Sequence, residues 1–148
     1  MPVLELQVLN GDQAGASVEI RPGSYRILRR STENFDVRST LVASNVEQWR
    51  LSQEDLELAA AQLTRRAVET GNPVVRFEAF ERAEDISIWD QRMSLPHAIV
   101  LFDEDHASIV DMGSRNGTFV NGERVGSTDL SHEDLVRCGA TRIQLFVR

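Results

Sequence analysis

Two short polar segments in the second half of the chain carry side chains that suit the binding of an anion. The first contains the hydroxyl of Ser94, and the second, residues 113–117, contains the guanidinium of Arg115, the amide of Asn116 and two glycines. Hydroxyl, guanidinium and accessible backbone N–H groups are the donors that hold oxyanions such as phosphate in proteins. The sequence therefore predicts an anion-binding site formed by two loops.

Turn and strand signals indicate that the second of these segments lies at the end of a small sheet. Two Asn-Gly pairs begin at Asn116 and Asn121, and Asn-Gly is the strongest short-range turn signal because both residues accept positive φ at little cost. Residues 107–110 and 118–120 are rich in β-branched and aromatic side chains, which favour strands. We therefore expect a strand, a tight polar loop, a short strand, a turn and a further strand.

Alternation of apolar and polar residues predicts strands at both ends of the chain as well. Residues 3–8, 16–20 and 24–28 alternate in this way and are separated by turn residues, and residues 142–147 alternate near the C-terminus. A period of two residues is typical of strands with one buried face. The pattern predicts an all-β fold that opens with a meander, and we expect the C-terminal strand to close the sheet beside the first.

Residues 31–84 contain a predicted helix and interrupt this strand pattern. Ser52 and Asp55 form a capping box, apolar residues then recur at helical spacing, and Gly71 is followed closely by a proline. These are signals for the start, the face and the end of a helix. The helix is predicted over about residues 53–69, and its stripe of small and medium apolar side chains favours packing on the flank of the sheets.

Two features of this insertion have more than one interpretation. Arg65 and Arg66 lie near the end of the predicted helix, where they either supplement the anion site or form a solvated helix face. Residues 74–80 alternate well enough to predict an additional strand, at an edge of a sheet.

The residues around the two polar segments resemble those of a forkhead-associated (FHA) domain. The stretches D-I-S-I-W-D-Q-R-M-S-L-P-H-A, residues 85–98, and D-M-G-S-R-N-G-T-F-V-N-G, residues 111–122, contain the Ser-x-x-His and the Asn-Gly-Thr followed by Asn-Gly that are typical of the family. The resemblance covers about residues 3–30 and 85–148. It implies a β-sandwich of about eleven strands in a single domain, residues 1–148, with the insertion between the third and fourth strands.

The resemblance also implies a function, which is the binding of phosphothreonine peptides through loops at one end of the sandwich. Ser94 and Arg115 match positions that contact the phosphate in the family, and Asn116 matches the residue that clamps the main chain of the peptide. His97 matches a residue that braces the two loops by hydrogen bonds. The implied partner is a phosphothreonine-containing protein, such as a Ser/Thr kinase or its substrate.

The third family motif, a Gly-Arg after an early strand, is altered in this chain. Arg29 is the positional match for the arginine that grips the phosphate, but Leu28 replaces the glycine and Arg30 follows directly. A leucine does not readily take positive φ, so both arginines remain candidates for the phosphate contact. Residues 31–37 also resemble the loop that follows the motif, and the insertion therefore begins either after Val37 or at Arg30.

Apolar residues near the predicted site keep a second hypothesis open. Leu95 and Pro96 stand between the serine and the histidine, where many relatives have a basic or polar residue. Together with Leu28 and the insertion, they are compatible with an FHA-like scaffold that binds protein surfaces without phosphate, in a larger assembly such as a bacterial secretion or signalling complex. Whether the chain is a whole protein or one module of a larger one stays open.

Composition excludes several other function classes. The net charge is −7 and all 16 basic residues are arginine, which argues against nucleic acid and anionic membranes as partners. The longest apolar runs are too short to cross a bilayer and the N-terminus lacks a signal-peptide pattern, so we expect a cytoplasmic protein. The single cysteine, Cys138, excludes an internal disulfide and a cysteine-based zinc cluster.

Histidine usage argues against catalysis and against metal binding. His97 lies three residues from Ser94, but the sequence supplies neither a third orienting group nor an oxyanion hole in a usual context. His106 and His132 stand among acidic residues without a suitably spaced histidine partner. We therefore expect an interaction module that has no enzymatic activity, no cofactor and no metal.

Overall fold

The computed structural model of the protein describes residues 2–32, 50–104 and 106–148, and within them it is a sandwich of two β-sheets with one α-helix. The strands are β1 (Leu4–Val8), β2 (Ser17–Ile20), β3 (Ser24–Arg30), β4 (Glu81–Arg82), β5 (Ile86–Ile88), β6 (Ala98–Asp103), β7 (His106–Asp111), β8 (Thr118–Val120), β9 (Glu123–Val125), β10 (Ser127–Leu130), β11 (Leu135–Cys138) and β12 (Thr141–Val147), and the helix, α1, spans Gln53–Thr70. Twelve strands in the described residues agree with the expectation of about eleven.

The strands form two six-stranded sheets. The first sheet has the order β2-β1-β12-β11-β8-β9, and the second has the order β10-β7-β6-β3-β4, with β5 also paired to β3. The terminal strands β1 and β12 are antiparallel neighbours, with Leu6 opposite Leu145, so the prediction that the C-terminal strand lies beside the first is confirmed. The core between the sheets is built from inward-facing residues such as Leu6, Phe102 and Ile143.

Strand β3 ends beside the predicted site and decides which of its arginines can reach it. It is a regular strand through Leu28, which is fully buried in the core between the sheets and lies opposite Ala98 of β6. Tyr25 and Ile27 face the other side, where the insertion packs. Because successive side chains of a strand alternate between faces, Arg29 shares the face of Ile27, whereas Arg30 shares that of Leu28.

The insertion helix lies between β3 and β4 in the chain and packs on the outer face of the second sheet, as its apolar stripe predicted. Ala59 and Leu63 are fully buried in a second apolar cluster with Ile99 and Val110 of the sheet. Burying one leucine side chain in this way contributes about 1.5–3 kcal/mol. The helix therefore covers the flank of the sandwich.

Local sequence fixes both ends of this helix. The side chain of Ser52 accepts a hydrogen bond from the backbone N–H of Asp55, whose carboxylate accepts one from the N–H of Ser52. Gly71 ends the helix in a left-handed conformation, with φ 73°. The prediction of a helix from Gln53 to about Glu69 is thus correct to within one residue, since α1 ends at Thr70.

The predicted additional strand over residues 74–80 is wrong. Residues Phe77–Ala79 form a short 3-10 helix, and only the two residues of β4 that follow pair with β3. Both Phe77 and Phe80 are buried against the flank, with the ring of Phe77 4.8 Å from that of Tyr25. A turn that brings residues i and i+3 to one side buries both rings, whereas a strand would point them to opposite faces.

No helix in the described ranges has the length and apolar character that a membrane span requires. Residues 33–37, which resemble the loop after the family's Gly-Arg, lie outside the described residues, and the two placements of the insertion remain alternatives.

Candidate functional site

Three segments meet at one end of the sandwich because of the antiparallel pairing of β3, β6 and β7. Leu28 pairs with Ala98, and Ala98 pairs with Asp111, so the end of β3, the β5–β6 loop (residues 89–97) and the β7–β8 loop (residues 112–117) are neighbours. This end therefore contains both polar segments that the sequence singled out.

Ser94 connects all three segments by hydrogen bonds. Its carbonyl oxygen accepts from the backbone N–H of Arg30 at 2.9 Å, and its hydroxyl oxygen accepts from the backbone N–H of Arg115 at 3.0 Å. Since the hydroxyl acts as an acceptor in that bond, its own hydrogen can be donated to a ligand. The geometry therefore puts a hydroxyl donor between two arginines.

His97 is the internal brace of this end. It is fully buried, its Nδ1 accepts from the backbone N–H of Ser94 at 3.0 Å, and its Nε2 donates to the carbonyl oxygen of Gly117 at 2.9 Å. Burial lowers the pKa of His97, against smaller raising effects of the Gly117 carbonyl and nearby aspartates, so the ring is neutral, as these bonds require. Both ring nitrogens are occupied, and neither is directed at a substrate position.

A second brace, Asp111, lies at the end of β7. One carboxylate oxygen accepts from the backbone N–H groups of Gly113 and Ser114 at 3.0 and 3.1 Å, and the other accepts from the hydroxyls of Ser114 and Thr118. These bonds fold the first half of the β7–β8 loop. The sequence pattern alone gave no role to Asp111. An aspartate that stands two residues before a Gly-Ser pair is nevertheless a signal for a turn in which the side chain caps the backbone N–H groups.

Asn116 lies at the surface and joins the two loops. Its Nδ2 donates to the carbonyl oxygen of Arg92 at 2.8 Å. The Arg92 loop is in turn held by Asp90, whose Oδ2 accepts from the hydroxyl of Thr141 at 2.7 Å. The side-chain oxygen of Asn116 and its second N–H remain available to a main chain that crosses this surface.

The structure does not bring Arg29 to this site. Arg29 is 4% exposed, and its Nε donates to Asp85 Oδ2 at 3.1 Å. Asp85 is itself buried and also pairs with Arg82, at 2.9 Å. Arg29 thus belongs to a buried ion-pair cluster on the flank of the second sheet, away from Ser94. The assignment of Arg29 as the phosphate arginine conflicts with this geometry.

Arg30 takes the position that was expected for Arg29. It shares the face of Leu28 at the end of β3, and its backbone N–H bonds to the carbonyl oxygen of Ser94. Its side chain is half-buried. Within the described ranges, the guanidinium groups of Arg30, Arg92 and Arg115 have no hydrogen-bond or ion-pair partner, so this end presents three unpaired cations in a chain of net charge −7.

The two helix arginines lie on the flank. Arg66 is buried and pairs with Asp103 at 2.7 Å, and it also donates to the hydroxyl of Ser108. Arg65 donates to Gln62 and to the hydroxyl of Ser127. Both side chains tie α1 to the sheet, which excludes the interpretation that they supplement the anion site.

Other candidate chemistry is weak in the described part of the chain. The structure contains no group of three or more histidine, cysteine or acidic side chains that could hold a metal ion within the described residues. Cys138 is buried at the end of β11, and burial raises the pKa of its thiol to about 12. A thiol with this pKa is inert as a nucleophile.

Comparison with known proteins agrees with the fold and the motifs. Residues 79–139 match the family model of the FHA domain. The glycogen accumulation regulator GarA of Mycobacterium tuberculosis is 39% identical over 59 residues, which are 40% of this chain and 36% of GarA. The match therefore spans about a third of the length of that curated relative.

Solved structures of FHA domains have a similar fold over nearly the whole length of this chain. The FHA domain of the CT664 protein from Chlamydia trachomatis has a TM-score of 0.60 at 19% identity, with 97% of this chain and 96% of that chain covered. A domain from a structural and functional analysis of phosphothreonine-dependent FHA domain interactions has a TM-score of 0.56 at 18% identity, with 99% and 97% covered. Residues 79–139 therefore match the FHA domain family, and the described chain shares the sandwich fold of FHA domains.

Proposed function

We propose that this FHA domain is a phosphothreonine-dependent protein–protein interaction module that binds its partner through the loops at one end of the sandwich. The observation that carries the proposal is the convergence of Arg30, Ser94 and Arg115, joined through the Ser94 carbonyl and hydroxyl oxygens at 2.9 and 3.0 Å. Each of these residues has a donor that no described residue uses. In this proposal Arg30 takes the role that the family resemblance gave to Arg29.

The ligand chemistry follows from these donors. A phosphothreonine carries close to two negative charges at neutral pH and has three acceptor oxygens. The guanidinium groups of Arg30 and Arg115 neutralise that charge, and the hydroxyl of Ser94 donates to a phosphate oxygen. Charge-assisted hydrogen bonds are worth about 1.5–3 kcal/mol each, so three of them contribute about 4.5–9 kcal/mol before the cost of ordering the peptide. Contacts of the peptide main chain are therefore needed as well for micromolar affinity, about −8 kcal/mol.

The peptide main chain is held separately from the phosphate. Asn116 is already fixed by its bond to the Arg92 carbonyl oxygen, and a preorganised amide costs little entropy when it binds an extended peptide. Leu95 is 36% exposed beside the site and offers an apolar contact to the ligand. The proposed binding mode needs no cofactor or metal. Both ring nitrogens of His97 are hydrogen-bonded within the protein, which favours an interaction role over an enzymatic one.

The insertion helix is compatible with an open site. Its contacts are with β7, β10 and the 3-10 helix on the flank, and its polar ties reach Ser108, Ser127 and Asp129. The apolar cluster of the insertion includes Met112 of the β7–β8 loop, but no hydrogen bond or ion pair among the described residues joins the insertion to Arg30, Ser94 or Arg115. We infer that the partner is a phosphothreonine-containing protein, such as a Ser/Thr kinase or its substrate, by analogy with the FHA domain studied for phosphothreonine-dependent interactions.

A titration with three matched peptide libraries tests this function. The libraries are identical except for a central phosphothreonine, phosphoserine or unmodified threonine, and binding is measured for the wild type, Ser94→Ala and the control Ser131→Ala, whose serine is exposed far from the site. We expect binding that is confined to phosphothreonine, is retained by Ser131→Ala and is lost by Ser94→Ala. Absence of binding by a folded wild type contradicts the proposal. Equal binding of the unmodified library supports the phosphate-independent scaffold.

A further inference from the structure

The outer face of the first sheet carries an apolar groove on the opposite side of the molecule from the insertion helix. The groove has a volume of about 330 Å³, and its lining includes Leu9, Phe119, Leu135, Arg137 and Arg142. Leu9 and Leu135 are 41% and 44% exposed. Exposed apolar side chains that share one groove mark an interaction surface more often than single scattered ones do.

Strand register places three arginines and two apolar side chains in one row across this face. Arg124 of β9 pairs with Phe119 of β8, Phe119 pairs with Arg137 of β11, and Arg137 pairs with Arg142 of β12. Neighbouring strands are about 4.8 Å apart, so the four side chains follow one another across the sheet. Leu9 lies at the far end, where its backbone N–H bonds to the carbonyl oxygen of Arg142. We call these five residues the arginine stripe.

The cations of the arginine stripe differ in how they are held. The guanidinium of Arg137 lies 4.0 Å from the centre of the Phe119 ring and donates to the carbonyl oxygen of Gly139. Within the described ranges, the side chains of Arg124 and Arg142 have no hydrogen-bond or ion-pair partner. Two unpaired cations and a third fixed on an aromatic ring therefore surround an apolar floor, on a chain of net charge −7.

We propose that the arginine stripe binds a segment of a partner protein in which acidic residues flank a large apolar side chain. The carboxylates pair with Arg124 and Arg142, which present forked donors that match carboxylate geometry. The apolar side chain enters the groove between Phe119 and Leu135. Arginine and aromatic residues at the centre of a patch are also the types that dominate binding energy at protein interfaces.

The lining favours an acidic protein segment over nucleic acid. A nucleic-acid site needs a run of cations that follows the phosphates and lies in a net positive field. This groove instead has an apolar floor and belongs to an acidic chain. The stripe also begins beside the loop end, since the side chain of Arg124 lies against Gly117, the residue after Asn116. This surface is distinct from the proposed phosphate contacts, and its occupation requires no phosphate.

Amide NMR with short unphosphorylated peptides tests the inference on the full chain. The probe is a six-residue peptide with two central leucines between pairs of glutamates, and its two controls replace the glutamates by lysines or the leucines by serines. Shifts are followed at Phe119, Leu135 and Arg142 in the wild type, in Arg142→Glu and in Arg76→Glu. Arg76 is an exposed arginine that precedes the 3-10 helix, so its variant is a charge-matched control.

We expect the glutamate–leucine peptide to shift the amides of the arginine stripe, and Arg142→Glu to weaken the binding about fivefold or more, while Arg76→Glu binds as the wild type does. No shift at the stripe, or an equal response to the lysine or serine peptide, overturns the inference. Stronger binding of a single-stranded oligonucleotide at the same amides also overturns the inference, because the occupant is then nucleic acid. A concentration-dependent dimer that Arg142→Glu dissociates overturns it as well, because the occupant is then a second copy of the chain. None of these results depends on whether phosphothreonine binds.

Discussion

The neighbouring arginines at the end of β3 should have separable roles. Arg29 is buried in an ion pair with Asp85, and Arg30 is half-buried beside Ser94 without a partner among the described residues. Substituting each by alanine removes the same charge from adjacent positions. We expect Arg29→Ala to lower the free energy of unfolding and to leave phosphopeptide affinity unchanged. Arg30→Ala should lower phosphopeptide affinity and leave the free energy of unfolding nearly unchanged.

Magnitudes follow from the two environments. Removing one partner of a buried ion pair costs about 3–5 kcal/mol, and the remaining contact of Asp85 with Arg82 at 2.9 Å puts Arg29→Ala near the lower end of that range. Arg30→Ala alters a partly exposed side chain that makes no ion pair, so its cost in stability should stay within about 0.5 kcal/mol. Loss of a charged hydrogen bond to the ligand costs about 1.5–3 kcal/mol, which is about a ten- to hundredfold loss of affinity.

Urea unfolding and calorimetric titration with one phosphothreonine peptide measure both quantities for both variants. Conversion of both residues to lysine, one at a time, distinguishes charge from the planar guanidinium, because lysine retains the charge but loses the forked donors. Loss of binding by Arg29→Ala at unchanged stability, or wild-type binding by Arg30→Ala, would refute these separate roles.

Three further predictions concern the brace, the loop support and the insertion helix. Burial lowers the pKa of His97 below its usual value of about 6.5, so the folded state disfavours the protonated ring. The free energy of unfolding should therefore be highest above that pH and decline as the pH falls below it, and the slope should be smaller in His97→Gln. Gly139 and Gly122 both have positive φ, and an alanine at either position should cost about 1–2 kcal/mol of backbone strain. Gly139→Ala should destabilise the fold more, because a Cβ added there would lie 2.8 Å from the backbone of the β5–β6 loop. Leu63→Ala should cost about 2–5 kcal/mol, and Leu58→Ala, at an exposed position, about 0.5 kcal/mol or less, with peptide affinity unchanged in both.

Denaturant titrations from pH 7.5 to 5 measure the first effect, and midpoints at neutral pH measure the other two. An unchanged slope in His97→Gln would mean that the pKa of His97 is the same in the folded and unfolded states, which would contradict the effect of burial. Equal destabilisation of the two glycine variants would contradict the close approach at Gly139. A loss of peptide affinity in Leu63→Ala, at a concentration where the variant is folded, would contradict a helix that acts only on the flank.

Local signals predicted those elements whose determinants are close together in the chain. The insertion helix is bounded by the Ser52 capping box and by Gly71 in a left-handed conformation, and both were visible as sequence. Strand β1 was predicted from the alternation of Leu4, Leu6 and Val8, all of which are buried. At the loop end, the Asn-Gly pairs predicted turns that bring Asn116 to the surface.

The alternation of residues 74–80 was misleading because a short apolar pattern does not distinguish a strand from a tight turn. Phe77 and Phe80 are spaced to meet on one side of a 3-10 helix, and the partner that decides between the two structures, Tyr25, is far away in the chain. Tertiary packing thus overrode local preference.

The assignment of Arg29 differed from the structure by one residue, and one residue in a strand reverses the face. The alternation of Ile27 and Leu28 could not decide the matter, because β3 is buried on both faces and both residues are apolar. The partner that holds Arg29, Asp85, follows 56 positions later, beyond the insertion. Likewise, the support that Asp90 gives to the β5–β6 loop depends on Thr141, 51 positions away, which no local pattern contains.

The arginine side-chain Nε–H resonances report directly on the proposed phosphate contacts when a saturating phosphothreonine peptide is added. We expect the resonances of Arg30 and Arg115 to shift as they engage the phosphate, while that of Arg29, held by Asp85, does not move. The unphosphorylated form of the same peptide should leave all three unchanged. Saturation without any shift of Arg30 and Arg115, or with a shift of Arg29 in their place, would contradict the proposed site.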